Sequence, residues 1–182
     1  LSGIYNRNFS KQKQSDKITF PKLNCKINNK VFSGSGSIYN FKDLKINANC
    51  NVKIELGELY KWNIHTPMKS LSGVADITLF YNGGAGMKKG FMHDFLNAEK
   101  SATIIVKDGA LQYNNTHAPL KNINTYLRLD NQDLNIDSLS ASIGNESNLH
   151  FNGAIENILS QKKSSLTPIK IAGNLYSDNM FF

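Results

Sequence analysis

Apolar and polar residues alternate along much of this chain, the period-two signature of β-strands that turn one face toward an apolar environment. Ile123, Leu127 and Leu129 share one parity with Thr125 between them, while Asn124, Tyr126 and Arg128 take the other. Leu134 and Ile136 are in phase with each other, but Leu139, Ala141 and Ile143 are displaced by one position. A strand must keep its apolar set on one face, so this break predicts a bulge or bend near Asp137-Ser138. One apolar and one polar face imply a sheet covered on a single side.

Turn chemistry divides the strands. Asn28-Asn29 separates 18–27 from 31–39, and Asn82-Gly83 ends the stretch Ala75 to Tyr81. Asp108-Gly109 is the strongest hairpin signal, because a primed two-residue turn needs positive φ at both central positions. It is expected to join Thr103–Val106 to Leu111–Tyr113. Asn131-Gln132 should join 125–129 to 134–136, and Gly144-Asn145 should join 139–143 to 149–151. Residues 1–16 are polar and predict a lead-in, with residues 17–182 forming one β-rich domain.

Three segments carry helical spacing: Leu56 to Trp62, Ala154 to Leu159, and Met87 to Ala98. The last places Met87, Phe91, Met92, Phe95 and Leu96 along one side. They are expected to cap the open ends of a β core. With Lys88 and Lys89 beside its apolar face, the third also has the make-up of a lid or membrane-touching helix. A phrase of apolar residue, small residue and glycine recurs at Leu1-Ser2-Gly3, Phe32-Ser33-Gly34, Leu71-Ser72-Gly73, Phe151-Asn152-Gly153 and Ile171-Ala172-Gly173. Irregularly spaced repeats of this kind point to a modular β protein whose function lies in a long surface.

Composition narrows the function classes. Hydrophobic residues make up 40% of 182, enough for a real core. No run of about 20 apolar residues and no charged-then-apolar leader occurs. The opening inside a repeat phrase and the close at Met180-Phe181-Phe182 lead us to expect a piece of a longer protein. The net charge of +7 permits contact with phosphate or lipid headgroups. Its lysines are scattered, however, and lack the dense basic stripe of a nucleic-acid module. Cys25 and Cys50 both fall in strand-like stretches; the sequence leaves a disulfide between them open, and two free, partly buried thiols are the preferred reading.

Catalytic chemistry finds no footing. The histidines at 65, 93, 117 and 150 lack metal-ligand spacing. His93 and Asp94 are sequence neighbours, which on a helix should point apart. Gly84-Ala85-Gly86-Met87-Lys88-Lys89-Gly90 has the wrong glycine spacing for a dinucleotide loop and no Gly-Lys-Ser/Thr ending. No catalytic residue, metal site or cofactor is expected, and the chain is read as a non-enzyme.

The order of several phrases from Asp94 onward resembles the AsmA-like family of envelope proteins in diderm bacteria. The carrying residues are Phe95-Leu96-Asn97-Ala98, Ala102 to Leu111, Pro119-Leu120-Lys121-Asn122-Ile123, Asp133 to Gly144, and Leu149 to Leu159. Residues 31–62 resemble an earlier copy, carried by Asn51-Val52-Lys53-Ile54-Glu55-Leu56-Gly57-Glu58-Leu59, and Asn179-Met180-Phe181 looks like the start of another. The resemblance implies an extended, twisted antiparallel sheet curled into a taco-like groove. It also implies a periplasmic location, an inner-membrane anchor outside this chain, and a part in phospholipid traffic and outer-membrane homeostasis. Projected onto alternate strand positions, the groove lining would include Ile104, Val106, Ile123, Leu127, Leu129, Leu134 and Ile136, residues that equally suit a plain core.

A two-chain lipid of roughly 30 methylenes would cost over about 20 kcal/mol to expose, so a lipid guide must keep chains covered throughout. A second reading is a structural module that pairs with envelope proteins through exposed strand edges. A third, a sugar-binding β domain, would need clustered aromatics, and Tyr39, Phe41, Tyr60, Trp62, Tyr81 and Tyr113 are dispersed.

Overall fold

The computed structural model describes residues 4–6, 16–27, 30–59, 68–88, 90–114, 118–144, 147–159 and 168–178. The chain is mainly β. Its strands are β1 (Ile4–Asn6), β2 (Lys17–Ile27), β3 (Lys30–Tyr39), β4 (Lys45–Glu55), β5 (Met68–Gly84), β6 (Glu99–Tyr113), β7 (Leu120–Asp130), β8 (Asp133–Ile143), β9 (Ser147–Glu156) and β10 (Lys170–Ser177). Among the described residues two very short helices, α1 (Leu56–Leu59) and α2 (Phe91–Asn97), interrupt them. The strands form one sheet whose spatial order follows chain order from β1 to β10.

Contacts gather into two compact units, Leu1–Val52 with Thr78–Ala102 and Lys53–Ile77 with Thr103–Phe182. In the first, β2 and β3 pair antiparallel from Lys17 opposite Tyr39 to Ile27 opposite Lys30, with an irregularity between Phe20 and Leu23 where Pro21 cannot donate to the ladder. β3 then pairs with β4 without interruption from Phe32 opposite Val52 to Tyr39 opposite Lys45. Residues 28–29 link β2 to β3 but lie outside the described residues. Ile4–Asn6, within the expected polar lead-in, form a strand against Lys17–Thr19.

The second unit holds the predicted bulge. Ile136 faces Gly153 and Leu139 faces Phe151, so three steps along β8 match two along β9. On the other side Leu127 faces Ile136 and Tyr126 faces Ser138, leaving Asp137 as the surplus residue. Leu134, Ile136, Leu139 and Ala141 thereby lie in register with Ile155, Gly153, Phe151 and Leu149. Thr125 is buried here, and its hydroxyl donates to the Ser138 carbonyl at 2.8 Å, satisfying an acceptor beside the irregular ladder. The Asn131-Gln132 turn forms as expected between the facing residues Asp130 and Asp133, with Asn131 at φ 52°.

Other expectations are corrected. Asp108-Gly109 is no hairpin turn: β6 runs through it from Glu99 to Tyr113. Asp108 does take positive φ, 51°, but as a local kink within the strand, where its amide donates to Asn124 Oδ1 at 3.1 Å. The same left-handed conformation serves a turn or a kink, and here the strand carries on through it between β5 and β7. Ala154–Leu159 is not helical: β9 extends to Glu156 and turns at Asn157, φ 63°. The third helix is shorter than its periodicity suggests, and Met87 precedes it. α1 ends at Leu59, and residues 60–62 lie outside the described residues.

Full burial is sparse. Among the described residues, the buried apolar side chains are Ile54 and the alanines 75, 98, 102 and 141, so most large apolar residues keep part of their surface open. A sheet with one apolar face ordinarily hides it beneath a second layer. Lys100 is the exception in chemistry: it is 1% exposed, and its ammonium reaches the Ala98 carbonyl at 3.2 Å and lies 5.1 Å from the Phe95 ring centre.

Candidate apolar site

In the first unit, register places residues of one face from three strands side by side, the irregularity after Phe20 keeping Leu23 and Cys25 with Ile18 and Phe20. Ile18, Phe20, Leu23 and Cys25 of β2 face Ile38, Gly36, Gly34 and Phe32 of β3. Those in turn face Ile46, Ala48, Cys50 and Val52 of β4. The opposite parity is polar, with Ser33, Ser35 and Ser37 against Asn51, Asn49 and Asn47.

The apolar side has a small-residue floor. Gly36 opposite Ala48 and Gly34 opposite Cys50 form a low patch, bordered by Phe20, Leu23, Phe32, Ile38 and Ile46. Together these residues line a depression of about 340 Å³. The floor tolerates no filling from β3, since a β-carbon on Gly34 would meet the Asn49 carbonyl oxygen and one on Gly36 would lie 2.7 Å from that of Asn47. Both cysteines line the depression as free thiols. They stand on strands separated by β3, about 9–10 Å across the sheet, which is beyond disulfide reach. Burial, then the neighbouring Cys25, pushes the Cys50 thiol above its usual range, so the floor carries no charge at neutral pH.

The residues expected to line a groove all lie in the second unit. Leu127 faces Ile136 and Leu129 faces Leu134, so register brings these four together. Val106 and Ile123 meet over Gly109, where a β-carbon would fall 3.2 Å from Val106 Cγ1 and 3.0 Å from Ile123 Cβ. Ile104 lies two residues before Val106 on β6. All seven remain partly exposed. Further along, the Phe151 ring covers Gly153 and its partner Gly173, its Cζ lying 2.9 and 2.7 Å from where their β-carbons would stand. In two of the repeat phrases, then, glycine makes room for an aromatic ring, and in a third, at Gly34, it floors a hollow.

The polar face of this unit carries a bidentate pair, Arg128 Nε to Asp137 Oδ2 at 2.6 Å and Nη2 to Oδ1 at 2.7 Å. The hydrogen bond from Arg128 holds the Asp137 carboxyl below its usual range. On α2, His93 Nδ1 lies 3.2 Å from Asp94 Oδ1, contrary to the expectation that they diverge. Asp94 is committed elsewhere too, accepting from the Gly86 amide at 2.9 Å, which ties the glycine-rich connection to the helix.

The depression over β2–β4 was missed by reasoning from sequence. Its signal was present in Phe32-x-Gly34-x-Gly36-x-Ile38 and Ile46-x-Ala48-x-Cys50-x-Val52, but only register shows that the small positions of the two strands coincide. Comparison with known proteins adds no further constraint: no protein-family model matches the chain, and neither does any curated protein or solved structure.

Proposed function

We propose that this chain is a segment of an AsmA-like envelope protein whose apolar sheet face binds or guides phospholipid acyl chains in the periplasm, contributing to outer-membrane lipid homeostasis. In this reading the longer protein is held in the inner membrane by a segment outside this chain, and its sheet curls into a taco-like groove. The observation that carries the reading is the apolar depression floored by Gly34, Gly36, Ala48 and Cys50. Its volume is about twice that of the roughly 150 Å³ apolar cavity that admits benzene, so it suits a stretch of one chain rather than a whole lipid. The half-open apolar residues of the second unit offer a further surface of the same chemistry. The sequence resemblance supplies the envelope context.

Native mass spectrometry of the purified chain, with solvent extraction of anything bound, tests this. Phospholipid should be retained at defined stoichiometry and lost in Ala48→Phe, which fills the depression while keeping it apolar. Leu127→Asp should weaken retention on the second unit with the circular dichroism spectrum unchanged. A clean apo mass after incubation with liposomes would reject the reading.

One observation favours the alternative, a scaffold pairing through a strand edge. β10 stands last in the strand order and exposes Ile171, Leu175 and Tyr176. A lipid-free chain whose association with envelope proteins is abolished by Leu175→Lys would support that reading.

A further inference from the structure

We propose that one end of the first unit, formed by the β3–β4 turn and the β5–α2 connection, docks on an anionic phospholipid surface. Three large apolar side chains are exposed there: Phe41 at 43%, Met87 at 77% and Met92 at 65%. Single exposed apolar residues are ordinary on a protein surface, but Phe41 and Met87 on two hydrogen-bonded connections, with Met92 in the first turn of the helix that follows, put three at one end of the unit.

The two connections are pinned together. Asn40 adopts φ 53°, and its carbonyl accepts from the Asp43 amide at 2.9 Å, closing the turn that carries Phe41. The Ala85 amide donates to the Leu44 carbonyl at 3.0 Å, and Lys88 Nζ reaches Asp43 Oδ1 at 3.2 Å. The hydrogen bond from the Gly86 amide to Asp94 fixes α2, with Met92 in its first turn, to the same structure. The apolar residues therefore sit on a braced end.

Charge selects the occupant. Among the described residues this end carries Lys42, Lys45 and Lys88 against Asp43, which is paired with Lys88, and Asp94, which is engaged by the Gly86 amide and His93. Flexible methionines and a phenylalanine among lysines match the boundary between headgroups and acyl chains, where apolar tips insert and ammonium groups stay with phosphate. Anionic lipid adds about 1 kcal/mol per lysine near the surface. With so few inserting groups the contact is reversible. It stands whether or not the depression over β2–β4 holds a chain.

Flotation of the full chain with phosphatidylcholine vesicles carrying about 30% phosphatidylglycerol tests the proposal, with pure phosphatidylcholine as comparison. The chain should float with the anionic vesicles and be released at about 0.5 M salt. The double variant Met87→Ser, Met92→Ser should bind about tenfold more weakly, the scale expected when two partly inserted apolar groups are removed. In Met92→Trp, fluorescence beyond that of Trp62 should shift to the blue on vesicle addition. Equal flotation with both vesicle types, unchanged binding by the double variant, or flotation without a shift in Met92→Trp would each overturn it. Ala48→Phe should float like the parent, so failure of the lipid-groove reading and failure of this one are separable.

Discussion

The surplus residue in β8 gives two deletions of equal length and opposite consequence. Removing Asp137 makes both neighbouring ladders regular around Ile136, leaving the separate irregularity between Lys121 and Asn124 as it is: Ile136 still faces Leu127 and Gly153, and Leu139 comes directly opposite Phe151 with no step left over. The apolar set from Leu134 to Ile143 stays on one face. Removing Asn135 shortens the strand just as much, but it swings Ile136 to the polar side and puts Asp137 in its place among Leu127, Leu134 and Gly153. That exchange forfeits the burial of an isoleucine, about 1.5–3 kcal/mol at most. It also sets a carboxylate on an apolar surface, adding roughly 1–3 kcal/mol.

We expect the Asn135 deletion to be less stable than the Asp137 deletion by about 3 kcal/mol, a gap of roughly 6–12 °C in melting temperature for a chain of this size. The Asp137 deletion also loses the exposed partner of Arg128 and should melt within about 4 °C of the parent. Circular dichroism melts give the ordering, and amide exchange along β8 and β9 locates the damage. If the two deletions melt alike, the bulge is a structural requirement rather than a surplus residue, and the account of face-keeping is wrong.

Two further outcomes follow from buried polar groups. Thr125→Val keeps the shape but strands the Ser138 carbonyl, and should cost about 1–3 kcal/mol in urea unfolding, whereas Thr125→Ser keeps the donor and should lose less. Equal losses would show that packing, not the hydrogen bond, matters there. Burial pushes the Lys100 pKa below the usual lysine value. Between that lowered folded value and the ordinary unfolded one, the unfolded chain binds more protons, so this group makes stability rise with pH across the window. Lys100→Met should remove that contribution, so the parent-minus-variant difference in unfolding free energy should grow as the pH rises toward the ordinary lysine value of about 10.4. A difference that does not change with pH would contradict it.

Much of the strand content of this chain was legible in the residues because alternation is a local property. The phase break between Ile136 and Leu139 located the bulge at Asp137-Ser138, and the Asn131 turn followed from its backbone preference. Asp108-Gly109 went the other way: the positive φ was foreseeable, but whether the chain reverses or carries on depends on pairing partners far along the sequence. Helical spacing in Ala154–Leu159 likewise yielded to pairing with β10, since Ala154 and Ile155 meet Ala172 and Ile171 across the ladder. The seven expected lining residues lie on one part of the sheet, yet the hollow lies elsewhere. Sequence by itself determined which side of each strand is apolar, because that depends only on parity. Only tertiary register decided that Gly34 and Gly36 meet Cys50 and Ala48, because a hollow forms where small residues of separate strands come together.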